Sequence, residues 1–231
     1  ECTFAPADAM RAADDFVLFR TATRQACRRL GYFATFMCRP AKPGAYASGW
    51  HLHQSLAGPS GDNLFVSTTD NALLSPVGQS FLAGVLAHAV PGTVFATPTV
   101  NGYGRFRSNS LAPDRVSWGF DHRGVLMRVL GGAGDPSTRI ENRTGEPSAN
   151  PYLFIAAQIV AGRDGMKRGL TPGPADDDPY AASRPMLPAS LGDGLAELAR
   201  SELFRHEFGE LFVDYYLKLK ESEWQRYRTF C

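Results

Sequence analysis

The sequence predicts an α+β (α/β) fold, and three observations carry that prediction. Short stretches alternate polar and apolar residues with the period of two that a strand imposes. The clearest are Ser48-Gly49-Trp50-His51-Leu52-His53-Gln54-Ser55-Leu56 and Arg139-Ile140-Glu141-Asn142-Arg143. Longer stretches place apolar residues at helical spacing, as in Ala12, Ala13, Phe16, Val17, Ala26, Cys27 and Leu30. Segments rich in Gly, Pro and Asp separate the two kinds, with no internal repeat. A chain of 231 residues that is 44% hydrophobic and 20% charged can bury a sizeable core, in one large domain or two small ones.

Taken in order, Glu1 to Phe4 reads as a strand ended by Pro6. Asp8 is a suitable N-cap for the first helix, and Gly31 closes it. Tyr32 to Cys38 alternates, is rich in aromatics and Thr, and reads as a strand; Arg39 to Ala47 holds two Pro and a Gly and reads as a loop. After the His51 strand come a turn at Gly58 to Asn63 and a short strand at Leu64 to Val66. Ser75 to His88 reads as a helix with Phe81, Leu82, Val85 and Leu86 inward, His88 complementing the negative end of the dipole. Asn101 to Pro113 is polar, with few apolar anchors, and is expected to be a mobile loop over a site. Val116-Ser117-Trp118 and Val125 to Leu130 read as strands joined in hairpin fashion through Phe120 to Gly124. Gly131 to Pro136 is flexible in composition, and Arg139 to Arg143 is a further strand. A helix opens at Asn150-Pro151, with Pro in the first helical position. Its Leu153, Ile155, Ala156, Ile159 and Val160 make it apolar nearly all round, so deep burial is expected. Thr171 to Pro188 is a loop with an Asp176-Asp177-Asp178 run, and helices over Leu191 to Arg200 and Glu207 to Tyr227 follow.

Charge and cysteine usage bound the partners. A net charge of +1 points to neither nucleic acid nor an anionic membrane, so anion binding has to be local. Cys2, Cys27, Cys38 and Cys231 form no CxxC pair and read as reduced thiols in a cytoplasmic chain. No apolar run reaches the roughly 20 residues that span a bilayer, and no signal peptide is evident. The chain opens on Glu1 without a Met and reads as a piece of something longer.

The two alternating stretches are where chemistry concentrates. His51, His53 and Ser55 share one strand face while Trp50 and Leu52 take the other. Same-face neighbours stand roughly 7 Å apart, which suits one His on a metal and the next on a group the metal also holds, such as a phosphate. An isolated His-x-His is equally compatible with a half-buried strand whose wet face carries His. Arg139, Glu141 and Arg143 likewise share a face: either a carboxylate held for a metal between two anion clamps, or a solvated salt-bridge ladder. Arg105, Arg107, Arg123 and Arg128 lie on loops and strand ends, and together offer fork-shaped donors to a polyanion. Two His plus carboxylates suit Mn²⁺ or Mg²⁺ better than a structural zinc. There is no GxxxxGK[ST] and no GxGxxG. A metal hydrolase built on His51 and His53 lacks an evident general base nearby.

These stretches, with Ala34-Thr35-Phe36-Met37, Asn101-Gly102-Tyr103-Gly104-Arg105, Ala112-Pro113, Arg123 to Arg128 and Ala149-Asn150-Pro151-Tyr152-Leu153, resemble the catalytic domain of the glutamine synthetase family from Glu1 to about Gly165. The resemblance implies a catalytic domain over residues 1–231, an antiparallel curved sheet or partial barrel with flanking helices, lacking the family's N-terminal β-grasp domain. It implies Glu1, His51 and Glu141 as metal ligands, for Mg²⁺ or Mn²⁺. It implies His53, Gln54, Ser55, Arg123, Arg128 and Arg139 as ATP contacts, and Arg105, Arg123 and Arg143 as glutamate contacts. Arg123 and Arg128 take the catalytic part of neutralising the transferring phosphoryl. The implied reaction joins L-glutamate to ammonia or an amine through a γ-glutamyl phosphate, in a homo-oligomeric ring. The 231 residues alone are then expected to turn over weakly or not at all.

Two departures bear on the nitrogen donor. The family's Glu just before Ala-Pro, which helps deprotonate ammonium, is Leu111 here, and Tyr46-Ala47 stands where Asn-Gly is usual. An organic amine is therefore expected over ammonia, as in the family's γ-glutamyl ligases for polyamines, alkylamines and anilines. Tyr180 follows the acidic run, but its surroundings do not match the family's adenylylation loop, and it reads as an ordinary loop Tyr. The alternative is a catalytically inactive relative with a binding or structural role; the retained Glu1, His51, Glu141 and Arg set argues against it.

Overall fold

A computed structural model describes residues 2–70, 72–180 and 183–230. Helix α1 (Ala9–Arg29) starts where expected, with the Asp8 carboxylate accepting the Arg11 N–H at 3.0 Å. The centre of the fold is an open four-stranded sheet of β1 (Leu52–Gln54), β2 (Trp118–Phe120), β3 (Met127–Leu130) and β4 (Arg139–Asn142), in the order β1-β4-β3-β2. β4 is antiparallel to both its neighbours.

The β2–β3 pair differs from the expected hairpin: it is parallel, with Trp118 opposite Met127 and Phe120 opposite Val129. A parallel connection usually takes about a dozen residues. Residues 121–126 suffice here because the strands are only three and four residues long. Asp121, at φ 47°, turns the chain back, and the His122 ring accepts the Gly124 N–H at 3.0 Å.

One sheet face is apolar. Met127, Val129 and Ile140 are fully buried against α2 (Pro76–Ala87) and α5 (Pro151–Arg168), with Phe65, Phe81, Leu82 and Val85. α5 is launched by Asn150, whose side-chain oxygen accepts the Tyr152 N–H at 3.0 Å, and is closed by Gly169 at φ 61°. α2 and α5 meet backbone to backbone at Gly84 and Gly165. A Cβ on Gly84 would lie 2.2 Å from the Ala161 carbonyl oxygen, and one on Gly165 would lie 2.1 Å from that of Ser80. A second core joins α3 (Ala89–Ala96) and α4 (Val100–Tyr103) to α6 (Leu191–Ala199), α7 (Glu202–Phe208) and α8 (Glu210–Phe230), through Phe95, Tyr103, Leu198, Phe204 and Tyr216.

Several local expectations are corrected. Among the described residues, Tyr32 to Cys38 joins no ladder, Leu64 to Val66 is a turn, and residues 2–4 form no strand; Glu1 lies outside the described residues. His88 is the C-cap of α2, at the junction with α3, and its Nε2 also lies 2.8 Å from Asp164 of α5, a partner the sequence did not indicate. The polar segment after Asn101 begins as helix, and Tyr103 and Arg105 are buried. α5 is not buried all round, since Ile159 is 44% exposed. The last expected helix is two, broken at Gly209 with φ 88°. No single helix among the described residues is long and apolar enough to cross a membrane.

Gly165→Ala tests the close helix contact. Alanine in a helix is favoured over glycine by about 1 kcal/mol. The added methyl would strike backbone, and overpacking of that kind costs typically 1–3 kcal/mol. Urea denaturation is expected to show a lower midpoint at unchanged slope; a raised midpoint would contradict the contact.

Candidate functional site

The register of the sheet builds the site. His53 of β1 stands opposite Glu141 of β4, and Glu141 stands opposite Arg128 of β3. Directly paired residues share a face, so an imidazole, a carboxylate and a guanidinium line up across three strands. Alternation brings His51, Arg139 and Arg143 to the same face.

Glu141 is the hub, only 2% exposed. His51 Nδ1 lies 2.9 Å from its Oε1, and Arg143 Nη1 donates to the same oxygen at 2.6 Å. Arg128 Nη1 donates to Oε2 at 3.1 Å, and His53 Nε2 is 3.9 Å from Oε1. Burial raises the Glu141 pKa. The hydrogen bond from His51 and the charges of Arg143, His51 and His53 overcome it and hold the group at about 2, so the carboxylate is ionised at neutral pH. His53 is pushed the other way. Burial lowers its pKa, Glu141 opposes that, and Arg139, His51 and Arg128 add to it. A neutral ring fits its hydrogen bond, in which Arg139 Nε donates to His53 Nδ1 at 3.1 Å.

The arginines differ in what they hold. Arg143, 5% exposed, also donates from Nε to the Arg123 carbonyl at 3.0 Å and from Nη2 to the Leu111 carbonyl at 3.2 Å. With five N–H groups, it keeps donors to spare on its terminal nitrogens. Arg105, 6% exposed, points Nη2 at the carbonyls of Arg143, Thr144 and Gly145, at 2.8, 2.5 and 3.0 Å. Its Nε is buried without a hydrogen-bond partner among the described residues. Gly49 lets Arg105 and His51 approach: a Cβ there would lie 2.6 Å from His51 Nε2 and 3.3 Å from Arg105 Nη1. Arg128 is tied outward to Asp121 by its other terminal nitrogen.

Not every residue singled out from the sequence joins this face. Gln54 is turned the other way, its Nε2 donating to Gln158 of α5 at 3.1 Å, beside Asn142, which donates to the same oxygen at 2.9 Å. Alternation explains it: Gln54 pairs with Ile140 in register, and Ile140 is core. Ser55 is exposed just past the end of β1, and the Arg123 residue is exposed while its carbonyl is held by Arg143. Glu1 lies outside the described residues. Sequence reasoning missed Asp121, which pairs with Arg128, and the part played by Tyr180, whose hydroxyl donates to the Ala112 carbonyl at 3.2 Å. An open groove of about 690 Å³, lined by residues including Arg24, Phe36, Val100 and Glu223, lies away from the cluster and includes none of its side chains.

Among the described residues, no group of three or more His, Cys, Asp and Glu side chains is placed to hold a metal ion. His51 and Glu141 stand close enough to share one, their direct contact giving way to it. An imidazole and an ionised carboxylate suit Mn²⁺ or Mg²⁺ in donor type and fill two positions; such ions take about six ligands, often with water and phosphate oxygens among them.

Fold and site together define an α+β domain whose sheet presents a dense set of cationic and imidazole groups around one buried carboxylate. The chain belongs to the glutamine synthetase family: the family described as Glutamine synthetase, catalytic domain, matches residues 1–231. Among curated proteins it is 47% identical over 230 residues to a gamma-glutamylanilide synthase of Acinetobacter sp, covering 98% of this chain and 46% of that protein. It is 36% identical over 240 residues to a glutamine synthetase of Archaeoglobus fulgidus, covering 98% and 49%. It is 35% identical over 228 residues to a glutamate–isopropylamine ligase of Pseudomonas sp, covering 96% and 49%. The solved structure "Apo GmaS without ligand" superposes with a TM-score of 0.85 at 32% identity, over 96% of this chain and 52% of that one. The chain thus spans about half the length of the relatives it matches. The α+β class expected from the sequence is the family's, with one parallel pair in the sheet.

Glu141→Gln tests the hub. It leaves the Arg143 and Arg128 guanidiniums facing a neutral amide, and breaking a buried ion pair costs roughly 3–5 kcal/mol. Chemical denaturation is expected to show a loss of that order, whereas His53→Ala, on a ring 43% exposed, should cost about 1 kcal/mol or less. Equal losses would mean that Glu141 is not the hub.

Proposed function

We propose that the polypeptide carrying this chain is an ATP-dependent ligase that joins the γ-carboxylate of L-glutamate to an amine, with an organic amine favoured over ammonia. The observation that carries the reading is the ionised Glu141 set among His51, His53, Arg128 and Arg143 on one sheet face. The names of the relatives agree with it: two are ligases of glutamate with aniline or isopropylamine, and a second solved neighbour, TM-score 0.85, is "GmaS/ADP complex-Conformation 1".

In this reading His51 and Glu141 hold a Mg²⁺ or Mn²⁺ ion, which when bound supplies Lewis-acid neutralisation of phosphate oxygens. His53 and Arg139, hydrogen-bonded to each other, contact the nucleotide, with the exposed Ser55 two residues beyond His53; Gln54, turned into the helix layer, takes no part. The γ-carboxylate of glutamate attacks the γ-phosphorus of ATP, the bond to the bridging oxygen breaks, and ADP leaves. Arg128 and Arg123 offset the charge that spreads over the phosphoryl oxygens in this step. Arg105 and Arg143 orient the glutamate carboxylate, using the donors their backbone contacts leave free. An amine then attacks the acyl carbonyl, the carbonyl C–O bond to phosphate breaks, and the departing phosphate takes the proton that the amine nitrogen loses, leaving the amide.

Preference for an organic amine rests on Leu111. It is 64% exposed, and its carbonyl is held by Arg143 within the cluster. An apolar side chain there offers contact to an alkyl or aryl group and no negative charge to ammonium.

Phosphate release by the natural full-length polypeptide with ATP, L-glutamate and a panel of amines tests the proposal. Aryl- or alkylamines are expected to exceed ammonium in kcat/KM. Ammonium as the best donor would overturn the amine preference, and no amine-dependent release would overturn the ligase. Thermal stabilisation by ATP with Mn²⁺ or Mg²⁺ is expected in the wild type and lost in His51→Ala.

A further inference from the structure

Two neighbouring residues over the site are held in an unusual way. Asn109 and Leu111 have φ 59° and 56°, the left-handed region that side-chain-bearing residues rarely adopt. A branched side chain such as Leu gains nothing local from that conformation, so the surroundings must impose it. The two carbonyls that follow are each captured by a different element. Arg143, from beneath, donates to the Leu111 carbonyl at 3.2 Å, and Tyr180, from outside, donates to the Ala112 carbonyl at 3.2 Å.

The same two side chains also reach the turn that carries Arg123. Arg143 Nε takes the Arg123 carbonyl at 3.0 Å, and the Tyr180 ring covers Gly124, where a Cβ would lie 3.0 Å from Tyr180 Cε2 and 2.9 Å from Pro179 Cγ. The segment bearing Tyr180 is fixed in turn. Asp176 exchanges main-chain and side-chain hydrogen bonds with Trp118 of β2 and pairs with Arg184 at 2.9 Å, while the Asp178 carboxylate accepts the Tyr180 N–H at 3.1 Å. An aromatic hydroxyl on a stapled loop thus ties together the two segments between which Arg143 runs.

We propose that Tyr180 is a positioning residue for the amine acceptor: by holding the Ala112 carbonyl and covering Gly124, it keeps Leu111 in its left-handed conformation beside the Glu141 cluster. The assignment of the acceptor rests on the ligase reading; the tie itself does not.

Tyr180→Phe keeps the ring and removes the hydrogen bond. In the natural full-length polypeptide it is expected to raise KM for the preferred amine about fivefold, the worth of one neutral hydrogen bond, with KM for ATP and kcat within twofold. Tyr180→Leu, which also loses the ring, is expected to raise it further. Amide hydrogen exchange across residues 108–113 is expected to quicken in both variants, and Leu111→Gly, which needs no restraint at a positive φ, should make Tyr180→Phe silent in amine KM. Unchanged exchange in Tyr180→Phe would refute the tie. Quickened exchange with an unchanged amine KM would refute the acceptor role, as would a KM for ATP that rises as much as that for the amine. A wild type with no amine-dependent turnover would overturn the ligase reading and the acceptor role together, and the exchange measurement would still decide the tie.

Discussion

The burial of one negative charge organises this fold. Taking an unpaired carboxylate out of water costs several kcal/mol, so Glu141 at 2% exposure is possible only because His51, Arg128 and Arg143 converge on it. The dependence runs both ways. Arg128 and Arg143 would repel one another on a shared face without the carboxylate between them. Each partner comes from a different place in the chain, so satisfying the charge fixes how β1 and β3 lie on β4. A slip of one residue along β4 would put Ile140 among the cations and drive Glu141 into the core. Register here is set by electrostatics on one face and by apolar burial on the other, and both demand the same answer.

Precision on that face depends on what the opposite side permits. α2 and α5 approach through Gly84 and Gly165, and the sheet rests on the layer they make. Gln158 of α5 accepts from both Gln54 and Asn142, so the polar residues that alternation sends inward are satisfied rather than stranded. Trp50, just before β1, stacks on Phe16 of α1 with ring centroids 3.9 Å apart and meets Phe154 of α5 edge-on at 5.7 Å. The Trp50 N–H also reaches the Gly145 carbonyl at 2.7 Å, in a place where a Gly145 side chain would collide with the Trp50 backbone. His51 follows directly on this fixed residue, which is why its ring is aimed.

The period of two made the polar face legible, because it depends only on local geometry: His51 and His53 against Trp50 and Leu52, Glu141 against Ile140. The same rule, applied strictly, sends Gln54 inward, and only the motif resemblance placed it with the nucleotide. What alternation lacks is any record of which strands pair. Tyr32 to Cys38 has strand composition and no partner among the described residues, and the β2–β3 pair is parallel because Asp121 takes a left-handed turn that no composition signal marks. His88 was ambiguous for a similar reason, since its partner Asp164 is far along the chain. The part played by Tyr180 was likewise unreadable: its two contacts, the Ala112 carbonyl and Gly124, are backbone features that leave no trace in neighbouring letters.

The segment around Leu111 shows how a site can hold what the local sequence resists. A left-handed conformation at a residue other than glycine costs about 1–2 kcal/mol, and the segment has two, at Asn109 and Leu111. Asn tolerates that region better than Leu does, so most of the cost falls at Leu111. A single net hydrogen bond returns about 1 kcal/mol, and one from a charged group about 1.5–3 kcal/mol. Arg143 on the Leu111 carbonyl is of the second kind and Tyr180 on the next carbonyl of the first, so together they match or exceed the strain while neither does so comfortably alone. The conformation at Leu111 is therefore conditional on Arg143, and Arg143 is oriented by Glu141. The buried carboxylate thus governs the backbone of a segment whose side chains it does not contact, and the site's apolar wall and its charged floor are one mechanical unit.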